Sequence, residues 1–413
     1  MMAEALKARP MYLDKLLAVK DNGLIKVVTG MRRCGKSSLL ALLSQRLVDD
    51  GVPADHVISI NLESFQYSAF DYAQLYRHLD GLMQTGGRYY LLLDEVQLID
   101  GWEKAVNALR VDKDADIYLT GSNAHLLSSQ LATLLSGRHI EIRVFPLSFS
   151  EFLQYTGVGA SPADRASAFD RYTRYGGLPP VVDQGANQSL AHTVLSGIYD
   201  TILVRDIAQY LQIRNPMVFN DVARYLADTA GSPVSINKIE HRLKSARRTT
   251  ANETIERYIS GLLDAFLFYR AQRINVKGGD YLQGLNKYYP ADLGIKNMLL
   301  GYPAGDFGFL LENVVHNELR TRGYEVQVGK MDGLEIDFVA TRTRDDLTLE
   351  RLFIQVSVSI LDTHTREREL EPLRRLGNAR LSGRRIVLTL DTFGLGSTND
   401  GVDVINAVDW LTM

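Results

Sequence analysis

The chain has 413 residues, 46% of them hydrophobic and 23% charged, with a net charge of −3. That length exceeds one ordinary core, so about two to four domains are expected. The composition is globular, no apolar run approaches a membrane span, and the charge excludes a uniformly basic nucleic-acid binder, leaving any basic surface local. The one cysteine, Cys34, excludes an internal disulfide, and Met1-Met2-Ala3-Glu4 lacks the features of a signal peptide, which together point to the cytoplasm.

Taken in order, residues 6–19 have helical spacing, with Tyr12, Leu13, Leu16 and Leu17 on one side. After a turn at Asp21-Asn22-Gly23, Ile25, Val27 and Val28 read as a buried strand. Gly30, Met31, Arg32, Arg33, Cys34, Gly35, Lys36, Ser37 and Ser38 follow, and a helical leucine pattern starts at once. This is G-x-x-x-x-G-K-[ST] between a strand and a helix, a loop whose amides cradle a nucleotide phosphate. Lys36 is expected to reach the β- and γ-phosphates of ATP, and Ser37 to offer its hydroxyl to Mg²⁺. Cys34 lies where a helix N-terminus favours a thiolate, or simply fills the loop.

Residues 57–62 form a second strand and residues 70–83 a helix. The apolar run Tyr89–Leu93 then ends in Asp94-Glu95, with Asp94 suited to Mg²⁺ and Glu95 to general-base activation of water. A strand at 116–120 ends in Gly121-Ser122-Asn123. Asn123 first, Ser122 second, is positioned to bond the γ-phosphate or the water, or else to cap the next helix at 124–135. With a fifth strand at 140–144, strands alternating with helices give an α/β fold with a parallel sheet, the nucleotide at the strands' carboxyl ends.

These stretches, together with Ser136-Gly137-Arg138 and residues 146–152, resemble the AAA+ ATPases. More narrowly they resemble the widespread prokaryotic group of predicted AAA+ superfamily ATPases, a resemblance extended by Tyr175–Pro179, Leu203–Ile207, Lys287–Gly294 and Leu311-Glu312-Asn313. The resemblance implies an arginine finger at Arg138, acting in trans in a homo-oligomer such as a hexameric ring. The alternative is an ordinary surface arginine. It also implies that Pro179, in Gly177-Leu178-Pro179, packs against adenine, or that this is a plain helix-breaking turn. Asn61 is a candidate restraint on Glu95.

The expected domains are an ATPase core at 1–147, a helical lid and connector at 148–214, a winged-helix-like domain at 215–300 and an α/β domain at 301–413. Residues 214–290 carry an excess of about five positive charges. Lys244, Arg247 and Arg248 before the third helix of that domain suit backbone phosphates, and Arg273 and Lys277 would sit on a wing. DNA is the expected partner; a packing module with a solvated basic loop is the alternative. Residues 305–413 read α-β-β-β-α-β. Glu312, Asp337 and Gln355-Val356-Ser357 resemble a restriction-endonuclease-like core, but Ser357 stands where that core needs a lysine, so the domain is expected not to cleave. The whole reads as a DNA-remodelling ATPase, with a nucleotide-dependent signalling or defence switch acting on protein as the alternative and an ATP-gated nuclease as a third reading.

Overall fold

Apolar runs in the first third of the chain become the strands β1 (Ile25–Thr29), β2 (Val57–Asn61), β3 (Tyr89–Asp94), β4 (Ala115–Thr120) and β5 (His139–Arg143). All pair in parallel, in the order β2-β3-β4-β1-β5. Every residue of β1 and β3 is buried, which is why they read as continuous rather than alternating apolar runs. The computed structural model describes residues 6–413 except 122–134, 136, 160, 186, 209, 210, 212, 214, 249, 283, 284, 304 and 306. The chain forms two units, Met1–Phe145 with Asp264–Phe266, and Pro146–Leu263 with Leu267–Met413.

In the first unit α1 (Pro10–Ala18) precedes β1, and α2 (Lys36–Asp49), α3 (Tyr72–Leu82) and α4 (Trp102–Asp112) join β1 to β2, β2 to β3 and β3 to β4. Helix α1 begins later than its apolar spacing predicts, because Pro10 takes the first-turn position where its fixed φ and missing N–H fit. Helix α3 starts after Asp71, which forms a reciprocal capping box with Gln74. The parallel sheet brings the carboxyl ends of β1, β3 and β4 side by side, and this edge carries the site.

The second unit begins with α5 (Phe149–Thr156), α6 (Pro162–Tyr175), α7 (Pro179–Val182) and α8 (Gln188–Thr201). A π-helical stretch, Ile202–Ala208, follows within the expected helical connector. Then come α9 (Pro216–Asp228), α10 (Ile236–Ser245), α11 (Asn252–Asp264) and an antiparallel pair, β6 (Phe268–Ala271) with β8 (Lys287–Pro290). Val234 bridges Asn286 beside this pair. The stretch 268–275 divides between two sheets. Its second part, β7 (Arg273–Asn275), runs parallel to β9 (Glu325–Met331) because Ile274 is drawn into the core with Met331, Ile336 and Phe353.

After α12 (Leu293–Leu300) and α13 (Phe307–Thr321) the chain builds a seven-stranded sheet. Its further members are β10 (Leu334–Thr343), β11 (Leu349–Ser357), β12 (Arg384–Thr389), β13 (Gly396–Ser397) and β14 (Val402–Asn406), in the order β13-β14-β12-β11-β10-β9-β7. The last two strands and α15 (Ala407–Thr412) extend the predicted α-β-β-β-α-β pattern. One face packs on α14 (Thr363–Asn378) through Leu370, Leu373 and Leu376. The other packs on α5, α6, α13 and α15 around Phe149, Phe152, Phe338 and Trp410. Burial of each such aromatic side chain contributes roughly 2–3 kcal/mol. No described helix is long and apolar enough to cross a membrane.

Candidate nucleotide site

The loop after β1 turns too tightly for side chains at its ends. Gly30 has φ +140°, and a Cβ there would stand 2.1 Å from the Val144 carbonyl oxygen. Gly35 has φ 103° and caps α2. Arg33, between them, also takes a positive φ, 67°. The loop amides therefore precede a helix N-terminus directly, which is the geometry that binds anions. Lys36 opens α2 and is 5% exposed; its Nζ donates to the carbonyls of Gly30 (3.0 Å) and Met31 (3.2 Å). Arg32 pairs with Glu63 at 3.8 Å. Cys34 is fully buried, with its Sγ 3.4 Å from the Val144 carbonyl oxygen. Burial pushes its thiol pKa up, so the residue fills the loop rather than presenting a thiolate.

Opposite the loop, Asp94 ends β3 and Glu95 turns off it with φ 57° and ψ 49°. A left-handed conformation at a non-glycine residue is strained and is held here by its surroundings. Thr120, at the end of β4, is the holding residue. Its hydroxyl donates to Asp94 Oδ1 and accepts from the Glu95 N–H at 2.9 Å. Leu93 pairs with Leu119, and that register sets Thr120 beside Asp94. Burial raises the Asp94 pKa and the Glu95 charge adds to the rise, while hydrogen bonds from Thr120 and Ser37 and the Lys36 charge oppose it. Glu95 is 7% exposed, and Gln97 Nε2 donates to its Oε2. Asn61, the candidate restraint on Glu95, accepts from the Glu63 N–H at 2.8 Å.

The fold thus brings together Gly30, Gly35, Lys36, Ser37, Asp94 and Glu95. Ser37 and Asp94 present hard oxygen donors joined by a hydrogen bond, a set that fits Mg²⁺ bound with a nucleotide. Arg138 is exposed and immediately precedes β5, at the amino end of the sheet. The five-residue length of that strand puts it about 17 Å from the loop edge. Asn123 and Ser122 lie outside the described residues.

Sequence reasoning missed Arg9 as well as Thr120 and Gln97. Arg9 is 5% exposed and its Nη1 donates to the Cys34 carbonyl at 2.9 Å and the Phe145 carbonyl at 3.1 Å. Its guanidinium lies 4.4 Å from the Tyr12 ring centroid, and the Tyr12 hydroxyl accepts from the Phe145 N–H at 3.1 Å.

Pro179 and the basic residues belong to the second unit. Pro179 opens α7, two residues after Gly177, whose N–H donates to Asp292 Oδ2 at 2.8 Å. Lys244 pairs with Glu240 (2.7 Å), Arg248 with Asp221, Arg273 with Glu335 (3.5 Å) and Lys277 with Asp332 (2.8 Å). Arg247 is exposed, with φ 56°.

Residues 22–153 match the AAA domain family, and residues 166–306 match a domain of unknown function, DUF8612. An uncharacterised protein of Haemophilus influenzae is 38% identical over 99% of this chain and 100% of its own length. Among solved structures, the Thermotoga maritima RuvB Holliday junction branch migration motor aligns with a TM-score of 0.33 at 14% identity, over 64% of this chain and 90% of that one. The Aeropyrum pernix ORC1 protein in complex with DNA aligns with a TM-score of 0.30 at 12% identity, over 73% and 95%.

Proposed function

This chain belongs to the same family as the Haemophilus influenzae protein and carries a P-loop AAA+ core, and from that premise we propose that it is an ATP-hydrolysing motor that binds and remodels DNA as an oligomer. The observation that carries the hydrolytic part is the Thr120 hydroxyl joining Asp94 to the Glu95 backbone opposite Lys36 and Ser37. Lys36 would exchange its two loop carbonyls for phosphate oxygens. Ser37 and Asp94 would hold Mg²⁺, which supplies positive charge to the phosphates. Glu95 takes the proton of the attacking water, its carboxylate oriented by Gln97. Arg138, at the far end of its own sheet, suits a neighbour's site, which requires a head-to-tail ring or related assembly.

The DNA part is carried by the basic character of residues 214–290, and their three helices and β6–β8 pair support the winged-helix reading. Phosphate contacts fall first to Arg247 and Lys244 at the end of α10. The experiment is ATP hydrolysis with and without duplex, forked and four-way-junction DNA, in the wild type and in Lys244→Gln with Arg247→Gln. Stimulation that the double substitution removes supports the reading, and absence of stimulation by every DNA overturns it.

One observation favours the second reading, a nucleotide-dependent switch acting on protein in the cytoplasm. The ion pairs of Lys244, Arg248, Arg273 and Lys277 with carboxylates of their own unit lessen the positive field available to a phosphate backbone. Slow hydrolysis with retained nucleotide, indifferent to DNA, would establish it.

A further inference from the structure

We infer that the buried Lys287 is the resident cation of a part-buried acid cluster in the second unit, and that this cluster takes no divalent metal. The inference rests on the nuclease-like reading of residues 301–413, which implies a metal between Glu312 and Asp337. The side chains present do not fit one.

Lys287 comes from β8, outside the seven-stranded sheet, and is 3% exposed. Its Nζ lies 3.2 Å from Glu312 Oε1 and 2.9 Å from Glu335 Oε1. Tyr289, two residues along the same strand face, donates to the same Glu312 oxygen at 2.7 Å. Behind that carboxylate stands Gly231, where a Cβ would meet both oxygens at 3.2 Å. Mg²⁺ gives up its waters reluctantly and needs room for several of them. The wall of Tyr289, Gly231 and the ammonium is too close for such a shell.

The other expected ligands are engaged as well. Asp337 Oδ2 accepts from the Val356 N–H at 2.8 Å. Gln355 accepts from the Asp337 N–H at 2.8 Å and donates to Glu369 at 2.9 Å. Ser357, where a water-activating lysine would stand, donates to the Ser359 carbonyl at 3.0 Å. Among the described residues, no three His, Cys, Asp or Glu side chains are arranged to hold a metal ion. The ammonium offsets one of these negative charges, Arg273 stands 3.5 Å from Glu335 as a second cation, and Lys287 ties β8 to α13 and β10. A buried ion pair of this kind is strongly destabilised when one partner is removed and much less when both are.

The test is a calorimetric titration of the full chain with Mn²⁺, in an Asp94→Asn background that silences the nucleotide-loop site. No saturable binding is expected up to millimolar metal. Saturable binding that Asp337→Asn abolishes, or Mn²⁺-dependent DNA cleavage with the same sensitivity, overturns the inference while leaving the nuclease-like reading intact. Lys287→Met is expected to melt roughly 6 °C or more below its parent and to recover part of that loss on adding Glu312→Gln. A double variant no more stable than Lys287→Met overturns the inference, and this comparison needs only enough folded protein to melt. DNA-stimulated ATP hydrolysis, measured separately on the wild type, decides the motor reading independently of either outcome.

Discussion

Arg9, the residue before α1, donates to the carbonyl of Cys34 inside the nucleotide loop at 2.9 Å. The same nitrogen reaches the Phe145 carbonyl, so one guanidinium joins the loop to the segment leaving β5. A buried charged donor to two carbonyls holds the loop in the shape its glycines permit.

Arg9→Ala should therefore weaken nucleotide binding without touching a phosphate contact. Hydrogen bonds to a charged group contribute about 1.5–3 kcal/mol. If most of that preorganises the loop, the Kd for a fluorescent ATP analogue rises about 10- to 100-fold. Arg9→Lys, which keeps the charge but not the fork, should fall between. Unchanged affinity in Arg9→Ala would show that the contact serves stability alone.

The Asp94–Thr120–Glu95 connection separates binding from hydrolysis. Glu95→Gln should retain nucleotide and lose about 10²- to 10⁴-fold in kcat. Thr120→Val removes the hydroxyl that opposes the upward shift of the Asp94 carboxyl. The Asp94 pKa then rises further, and the fraction ionised falls at a given acidic pH. The acid limb of the pH–rate profile should move to higher pH in Thr120→Val. A lower kcat with an unmoved limb would assign Thr120 to the Glu95 backbone only.

The nucleotide loop and Asp94-Glu95 were legible because each is a contiguous motif set by strand and helix patterns on either side. Thr120 was not, because its role depends on the β3–β4 register rather than on its neighbours in sequence. Arg9 lies 25 residues from its loop partner and reads as helix-flanking charge. Helix α12 escaped notice because Leu293, Ile295, Lys296, Asn297 and Leu299 are all buried, leaving no polar face to show a period. Lys287 counted as one basic residue among many until α13 and β10 brought carboxylates to it.

Arg138 and Glu95 should complement each other across subunits. Arg138→Ala is expected to bind nucleotide normally and to hydrolyse it about 10³-fold more slowly. A mixture with Glu95→Gln should recover activity, because some sites then combine a Glu95 from one chain with an Arg138 from another. Activity of the mixture equal to the mean of its two components would remove Arg138 from the site.

Asp292 gives the second unit a stability that depends on pH. Its carboxylate accepts from Gly177 and Ile295 N–H groups at 2.8 and 3.1 Å, and burial pushes its pKa up to about 6. The folded state thus holds the proton more tightly than the unfolded chain, whose aspartates titrate near 4. The stabilisation from this group is complete below about pH 4 and is lost as pH rises through 6, a difference of about 3 kcal/mol. Asp292→Asn removes the titration, although one N–H loses its acceptor. The urea midpoint of wild type should fall more between pH 4.5 and 6.5 than that of Asp292→Asn. Equal falls would mean that Asp292 stays ionised across the range, with the Gly177 and Ile295 donors outweighing its burial.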